Sequence, residues 1–232
     1  MTIAFDRILI AVPELSLAIE QYQKLFATDP YQLDREDCGP AAWWGLHNTV
    51  IALVERPAEP PRLAGVVFSS AIAGSDDTPV SNVLGIDIAL CNAAATSDFR
   101  QRIAQAQCAG WSVDHVVLRT DNAQACIELF TEQLGIRLAL DKTAPQWGGR
   151  MLFFRAGKLT LEVIQSDNDA TTGSFFWGLA YKCENLADRL QQLHLRGVAV
   201  SDIRDGRKPG TLVATVKSHC LNIPTLLIQG AT

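Results

Sequence analysis

The 232-residue chain has no apolar run approaching the roughly 18–20 residues that a membrane-spanning helix needs, so a membrane partner is not expected. It also lacks an excess of positive charge. Its 20 Lys and Arg stand against 25 Asp and Glu, for a net charge of −5, which argues against nucleic acid as a partner. There is no G-x-G-x-x-G, Walker loop, G-x-S-x-G or H-E-x-x-H, so the common nucleotide, hydrolase and zincin readings fall away. The start, Met1-Thr2-Ile3-Ala4-Phe5-Asp6-Arg7, has no basic segment followed by an apolar one, and no signal peptide is expected. The cysteines, Cys38, Cys91, Cys108, Cys126, Cys183 and Cys220, form no C-x-x-C pair. Small buried thiols in a reducing cytoplasm explain them better than disulfides or zinc, so a cytoplasmic location is expected.

What the chain does have is apolar content, 48% of residues, which suffices for one large domain or two small ones. It also has an internal repeat. Asp6-Arg7-Ile8-Leu9-Ile10-Ala11 matches Asp114-His115-Val116-Val117-Leu118-Arg119, and both are β-branched runs suited to a strand. The helical patterns that follow match in register: Leu17, Ile19, Tyr22 and Phe26 align with Ala125, Ile127, Phe130 and Leu134. Three strand-like segments follow each helix, at 31–37, 42–46 and 49–54 and again at 137–140, 150–155 and 159–165.

A second match joins Ser81–Leu90 to Ser218–Leu227. The run Phe176–Cys183, a helix over 184–195 and strands to Gln229 complete another unit. Its first-half counterpart passes from Leu63–Ser70 through Ala73-Gly74-Ser75-Asp76-Asp77-Thr78-Pro79, a loop composition with no room for a helix. The chain thus divides into four units in two pairs, 5–57 with 62–92 and 113–165 with 174–229. Between the pairs, Ser97 or Asp98 is placed to cap a short helix ending near Gly110.

Paired βαβββ units of this length resemble the glyoxalase / bleomycin resistance / extradiol dioxygenase (vicinal oxygen chelate) superfamily. The resemblance covers nearly the whole chain, most clearly 112–232 and least clearly 58–92. It implies an α+β fold: tandem βαβββ units forming two glyoxalase-like curved mixed-sheet domains, the first with a degenerate second unit. The expected divisions are a degenerate glyoxalase-like domain at 1–92, a linker with a short helix at 93–111, and a glyoxalase-like domain at 112–232. In that superfamily, metal ligands come from the first and last strands of each unit. The third unit has His115 and Glu162 at those positions; the fourth has Gly178 and Leu226, the first Arg7 and Ala52, the second Gly65 and Ala89.

Strand parity supports the pair without reference to any family. Side chains alternate faces along a strand. Val116, Leu118, Leu161 and Val163 then share the face under the helix, while His115 and Glu162 share the opposite, concave one. Imidazole and carboxylate together suit a divalent metal, Zn, Fe, Mn or Ni. His219, water or a partner chain is a candidate for a third ligand. Read without metal, the two form a hydrogen-bonded pair lining a polar cleft, in which Glu162 can act as a general base beside His115.

Arg204-Asp205-Gly206-Arg207-Lys208-Pro209-Gly210-Thr211 fits a type II turn. Arg207 and Lys208 there either hold an acidic ligand or cap a solvated hairpin tip. Arg155 shares parity with Phe153 and, with Arg150, offers an anion clamp and aromatic wall; the competing reading is a core strand with charged ends. Trp147, Phe176 and Trp177 read as packing residues, with Trp177 facing the helix of its own unit.

Two functions follow. One is a metal-dependent lyase or isomerase acting on a small oxygenated organic acid or ketone. A ring-cleaving dioxygenase is disfavoured because its second histidine falls at Gly178. The other is a metal-free, drug-sequestering binding protein of the same fold. Strand edges left open by the incomplete unit invite a homodimer.

Overall fold

The computed structural model describes residues 3–35, 39–71, 73–74, 77–92, 94, 97–144, 149–166 and 172–230. Cys38 and Trp147 lie outside them. In the first unit, β1 (Ala4–Val12) leads through α1 (Leu15–Phe26) to β2 (Tyr31–Arg35), β3 (Gly39–Gly45) and β4 (Val50–Glu55). The second unit holds β5 (Arg62–Ser69), β6 (Thr78–Pro79) and β7 (Asp87–Cys91), with no helix between β5 and β7 among the described residues. The third holds β8 (Ser112–Thr120), α3 (Ala123–Ile127) continuing as a π-helical turn over Glu128–Gln133, β9 (Arg137–Ala144), β10 (Gly149–Ala156) and β11 (Leu159–Ser166). The fourth holds β12 (Phe175–Cys183), α4 (Leu186–Leu195), β13 (Arg204–Asp205), β14 (Leu212–Val216) and β15 (Thr225–Gln229).

The strands form two mixed sheets, ordered β2-β3-β4-β1-β5-β7-β6 and β13-β14-β15-β12-β8-β11-β10-β9. In each sheet the first strands of the two units pair antiparallel at the centre, and each pairs in parallel with the last strand of its own unit. This is the α+β tandem architecture that the repeat predicts, with the second unit degenerate.

The repeat extends to the bonds that start the helices. The first N–H of a helix has no partner within it. Leu15 N donates to Glu55 Oε1 (3.0 Å), Ala123 N to Gln165 Oε1 (3.0 Å) and Leu186 N to Gln229 Oε1 (2.7 Å). Each acceptor sits at the end of its unit's last strand, so one side chain ties helix to sheet in each complete unit.

The repeat extends also to its irregularities. A β-bulge leaves one residue without a cross-strand partner and re-aims its side chain. In the first sheet the register between β1 and β5 slips past Asp6 and past Ala64; in the second, that between β8 and β12 slips past Asp114 and past Trp177. These are corresponding positions. A side chain at Gly65 would put its Cβ 2.6 Å from Asp87 O, and one at Gly178 would put its Cβ 2.6 Å from Pro224 O. The close approach of the parallel neighbour explains both glycines.

One continuous apolar core joins the halves, built from the helix-facing side of both sheets. Phe26 of α1 meets Trp111 edge-on, centroids 5.0 Å apart, and Tyr181 of β12 at 5.8 Å. Asn48 bridges the halves in both directions, donating to Val113 O (2.7 Å) and accepting from Val113 N (2.9 Å).

The linker helix α2 (Ser97–Ile103) stops earlier than the sequence predicts. It tightens to a 3₁₀ turn over Ala104–Ala106, after which Cys108 N donates to Gly45 O (2.8 Å) and draws the chain onto the first sheet. There α2 covers the face of the first sheet opposite α1. Ile103 is buried with Trp43, Val50, Ala52 and Val54, and Phe99 packs edge-on against Trp43 at 4.8 Å. No described helix is long and apolar enough to cross a membrane.

Candidate functional site

His115 and Glu162 lie on neighbouring parallel strands at the centre of the second sheet, with Thr160 opposite His115 and Glu162 opposite Val117. Val116, Leu118, Leu161 and Val163 are all buried in the helix-side core. Alternation therefore turns His115 and Glu162 to the other face, as parity predicts. His115 Nε2 stands 3.3 Å from Glu162 Oε2. Glu162 is only 8% exposed, so its carboxylate sits at the base of the sheet's open face and not at its rim.

Adjacent strand residues ordinarily point to opposite faces, yet Asp114 Oδ2 reaches His115 Nδ1 at 2.9 Å. The bulge at Asp114 makes this possible. A carboxylate only accepts, so Nδ1 carries the proton, and in neutral His115 Nε2 is left as an acceptor facing another acceptor, Glu162 Oε2. Such a pair is satisfied by a shared proton or by a cation. The hydrogen bond from His115 also holds the Asp114 carboxyl below the usual carboxylate range, an effect stronger than the opposing burial. Carboxylate, imidazole and ligand site in this order is the arrangement by which outer-shell groups orient metal-binding histidines.

The donor set fits a divalent cation with two protein ligands. Catalytic zinc generally has three. No group of three or more His, Cys, Asp or Glu able to hold a metal occurs among the described residues. His219, considered above as a third ligand, has a backbone in the left-handed region (φ 58°) and its ring bonds Ser218 Oγ (2.8 Å). Burial and, less, the charge of Lys24 on α1 lower its pKa, and Leu221 N two residues on donates to Gln21 Oε1 of that helix (3.4 Å), so this loop packs against α1.

The other residues singled out in the sequence divide. Phe153 is the cross-strand partner of Glu162 and shares its face. Arg155 lies on that face too, its Nη1 donating to Thr160 Oγ1 (2.5 Å). Arg150 has the parity of Leu152 and Phe154 instead, and grips Asp141 with two bonds, Nε to Oδ1 (2.9 Å) and Nη2 to Oδ2 (2.6 Å). Arg207 and Lys208 sit on the hairpin between β13 and β14, at one edge of the sheet, while His115 and Glu162 occupy its centre. The turn there has the predicted form: Gly210 has φ +77°, and Thr211 N and Oγ1 both donate to Lys208 O (3.1 and 2.6 Å).

One expectation is overturned. Trp177 does not face the helix of its unit; Phe176 takes that place in the core. Trp177 is the bulged residue, 40% exposed, with the Arg119 guanidinium over its ring at 5.6 Å. Aligning Trp177 with Asp114 position by position missed the bulge, because the pairing that creates it involves a strand over fifty residues away. Sequence reasoning also left Asp114 and Arg119 out of the site. Asp114 was legible as the residue repeated at Asp6, but its turn toward His115 was not.

In the first sheet the corresponding site is filled. Asp6, the bulged residue, accepts from Arg7 Nη1 at 2.7 Å, and Asp77 pairs with Arg7 and Arg100 with Asp6. Arg7 is 1% exposed. Burial works against its charge, but Asp77 and Asp6 outweigh this and raise its pKa. The guanidinium of Arg7 thus stands where His115 stands in the second half, and α2 closes the face above it.

Residues 114–215 match the family model described as the Glyoxalase/Bleomycin resistance protein/Dioxygenase superfamily. Comparison with curated proteins gives no match in sequence. Among solved structures, a mutant of 4-hydroxymandelate synthase from Streptomyces coelicolor superposes with a TM-score of 0.73 at 12% identity, over 99% of this chain and 93% of that one. A fusion protein of a xylose isomerase-like TIM barrel and 4-hydroxyphenylpyruvate dioxygenase superposes with a TM-score of 0.65 at 13% identity, over 97% of this chain and 49% of that one. At these identities the likeness is one of fold. Residues 114–215 thus carry the signature of the vicinal oxygen chelate superfamily, and the chain as a whole shares the fold of these solved structures.

Proposed function

We propose that the chain is a glyoxalase-like lyase or isomerase that moves a proton on a small oxygenated organic acid or ketone. The supporting observation is the line Asp114–His115–Glu162, with Nδ1 held at 2.9 Å and Nε2 at 3.3 Å from a nearly buried carboxylate. Glu162 is the general base, and His115, oriented by Asp114, presents Nε2 beside it as an acceptor that can share the abstracted proton. His115 and Glu162 would hold a divalent metal (Zn, Fe, Mn or Ni), which when bound polarises a carbonyl oxygen. Arg155 and Phe153 flank the carboxylate as substrate contacts. Residues 1–92 form the scaffold domain and 112–232 the working one, in a homodimer.

The measurement is exchange of substrate C–H protons with D₂O across a panel of small keto and hydroxy acids, paired with elemental analysis after anaerobic purification. Exchange in the native protein, lost in Glu162→Gln and accompanied by metal lost in His115→Ala, bears the reading out. No exchange with any panel member, with metal content indifferent to His115→Ala, rejects it.

A second reading has one observation of its own. The position for another histidine ligand is Gly178, where even a Cβ would meet Pro224 O at 2.6 Å. A site so far from a full ligand set supports a metal-free small-molecule binder. Thermal stabilisation by organic acids or aromatic drugs that EDTA leaves unchanged favours this reading over the first.

A further inference from the structure

The two halves cross at corresponding hairpins. The tip between β3 and β4 seats on the second half: Asn48 exchanges hydrogen bonds of 2.7 and 2.9 Å with Val113 of β8, and His47 N donates to Trp111 O at 2.9 Å. The tip between β10 and β11 seats on the first half. At Gly157, where φ is +64°, a Cβ would come within 2.7 Å of Ala4 Cβ on β1. Each tip thus lies against the first strand of the other half, and α2 walls the crossing on one side. Together they enclose a cleft of about 430 Å³. A seam between domains is a preferred place for a small-molecule site, and the volume is in the usual range.

The floor of the cleft is apolar: Phe5, Leu46 and Ile103 line it, each exposed by 5% or less. Its charged lining has one sign. His47 comes from the first tip, Lys158 from the second and Arg100 from α2, and no Asp or Glu lines it among the described residues. That runs against the net charge of −5 on the whole chain. Asp6 divides its carboxylate oxygens between Arg7 and Arg100, so its charge is matched without His47 or Lys158. Arg100 meets Asp6 through Nη2, its side chain is 43% exposed, and a guanidinium has five N–H donors, so donors are left over. The His47 ring, the Lys158 ammonium and the Gln107 amide, which also lines the cleft, have no hydrogen-bond or ion-pair partner among the described residues. Charge of one sign over low-dielectric walls focuses the field and concentrates counter-ions. The cations come from three distant segments of the chain, and only the fold gathers them.

We propose that this cleft is a second ligand site, separate from the face that holds His115 and Glu162, and that it takes a small organic dianion, a phosphate monoester or a dicarboxylate. His47 and Lys158 reach the anion from opposite halves, so the bound ligand fastens the two hairpin tips together. The site stands apart from the reading of Glu162 as a base, since neither His115 nor Glu162 lines it.

Calorimetry on the full chain with glycerol 3-phosphate, malonate and uncharged glycerol tests it, with the thermal midpoint as a second signal. At least one of the two dianions should bind and raise the midpoint, and glycerol should do neither. Tighter glycerol 3-phosphate marks a phosphate site, and tighter malonate a dicarboxylate site. Lys158→Gln and His47→Ala should each weaken the bound dianion about tenfold or more, as the loss of one charge-assisted hydrogen bond would. Both side chains are exposed, so the midpoints of the unliganded variants should stay close to that of the native chain. Lys217→Gln removes an exposed cation that does not line the cleft and should leave the affinity unchanged. Binding of neither dianion, affinity indifferent to Lys158→Gln, or an equal loss in Lys217→Gln overturns the site. Glu162→Gln should leave dianion binding intact, so absence of proton exchange with this binding preserved rejects the Glu162 reading alone.

Discussion

His115 Nε2 and Glu162 Oε2 face each other at 3.3 Å across two parallel strands, and Asp114 fixes the far nitrogen of the same ring at 2.9 Å. This three-residue line is held by backbone pairing on one side and a bulge on the other, so its geometry can be disturbed one group at a time.

Asp114→Asn keeps the shape but removes the charge that favours a proton on Nδ1. Metal affinity, where metal is bound, should fall by roughly 10–100-fold, the usual cost of losing an outer-shell partner. The lowered pKa of Asp114, caused chiefly by the hydrogen bond from His115, also sets a sign for stability. The charged form favours the folded state, so the contribution is present above the ordinary carboxylate range and lost as pH falls through the lowered value. Thermal midpoints of native chain and variant should therefore differ near neutrality and converge at acid pH; a difference that widens on acidification contradicts this.

Trp111→Ala should destabilise both halves together. Trp111 is buried between Phe26 and Tyr181, with the Arg189 guanidinium 4.4 Å above its ring. Removing a buried Trp costs about 3–5 kcal/mol. Because the core is continuous across both sheets, denaturant unfolding followed by far-UV circular dichroism and by intrinsic fluorescence should give one shared transition, shifted to lower denaturant. Two separated transitions would show that the halves unfold independently.

Arg7→Met tests the filled site of the first sheet. Removing one partner of a buried ion pair leaves the others uncompensated, at a cost of about 3–5 kcal/mol. Adding Asp77→Asn to Arg7→Met should recover part of that loss, since the stranded carboxylate goes with it. Chemical denaturation of the single and double variants reads the recovery, and a further loss in the double variant would contradict it.

Gly178→His restores, on paper, a ligand that the superfamily resemblance leads one to look for. The structure predicts that it fails. Its Cβ would meet Pro224 O at 2.6 Å, a backbone atom held by the parallel pairing of β12 with β15. The variant should be destabilised and should bind no more metal than the native chain by elemental analysis. A stable variant with raised metal content would show that the strands can part.

Three of the buried thiols should be inert. Burial pushes Cys91 and Cys108 up to about 12 and Cys126 to about 11. The thiolate is the reactive form, so a thiol reagent at neutral pH should modify these three only after denaturation.

Much of this was written in the sequence itself. The matched runs at Asp6 and Asp114 set four units, the loop composition after Leu63–Ser70 removed one helix, and alternation along 113–119 and 159–165 put His115 and Glu162 on one face. These are local properties: side-chain period, turn chemistry and the apolar stripe of a helix are settled by residues a few positions apart. Tertiary structure alone decided the rest. Whether Asp114 turns toward His115, and whether Trp177 faces core or cleft, depends on a register slip between β8 and β12, strands that meet only in the folded sheet. The engagement of Arg150 by Asp141 and the filling of the first sheet's open face by α2 and Arg7 likewise depend on which surfaces meet. A linear pattern carries the period of each strand but not the offset between two of them, and that offset determines which side chains the open face of the sheet displays.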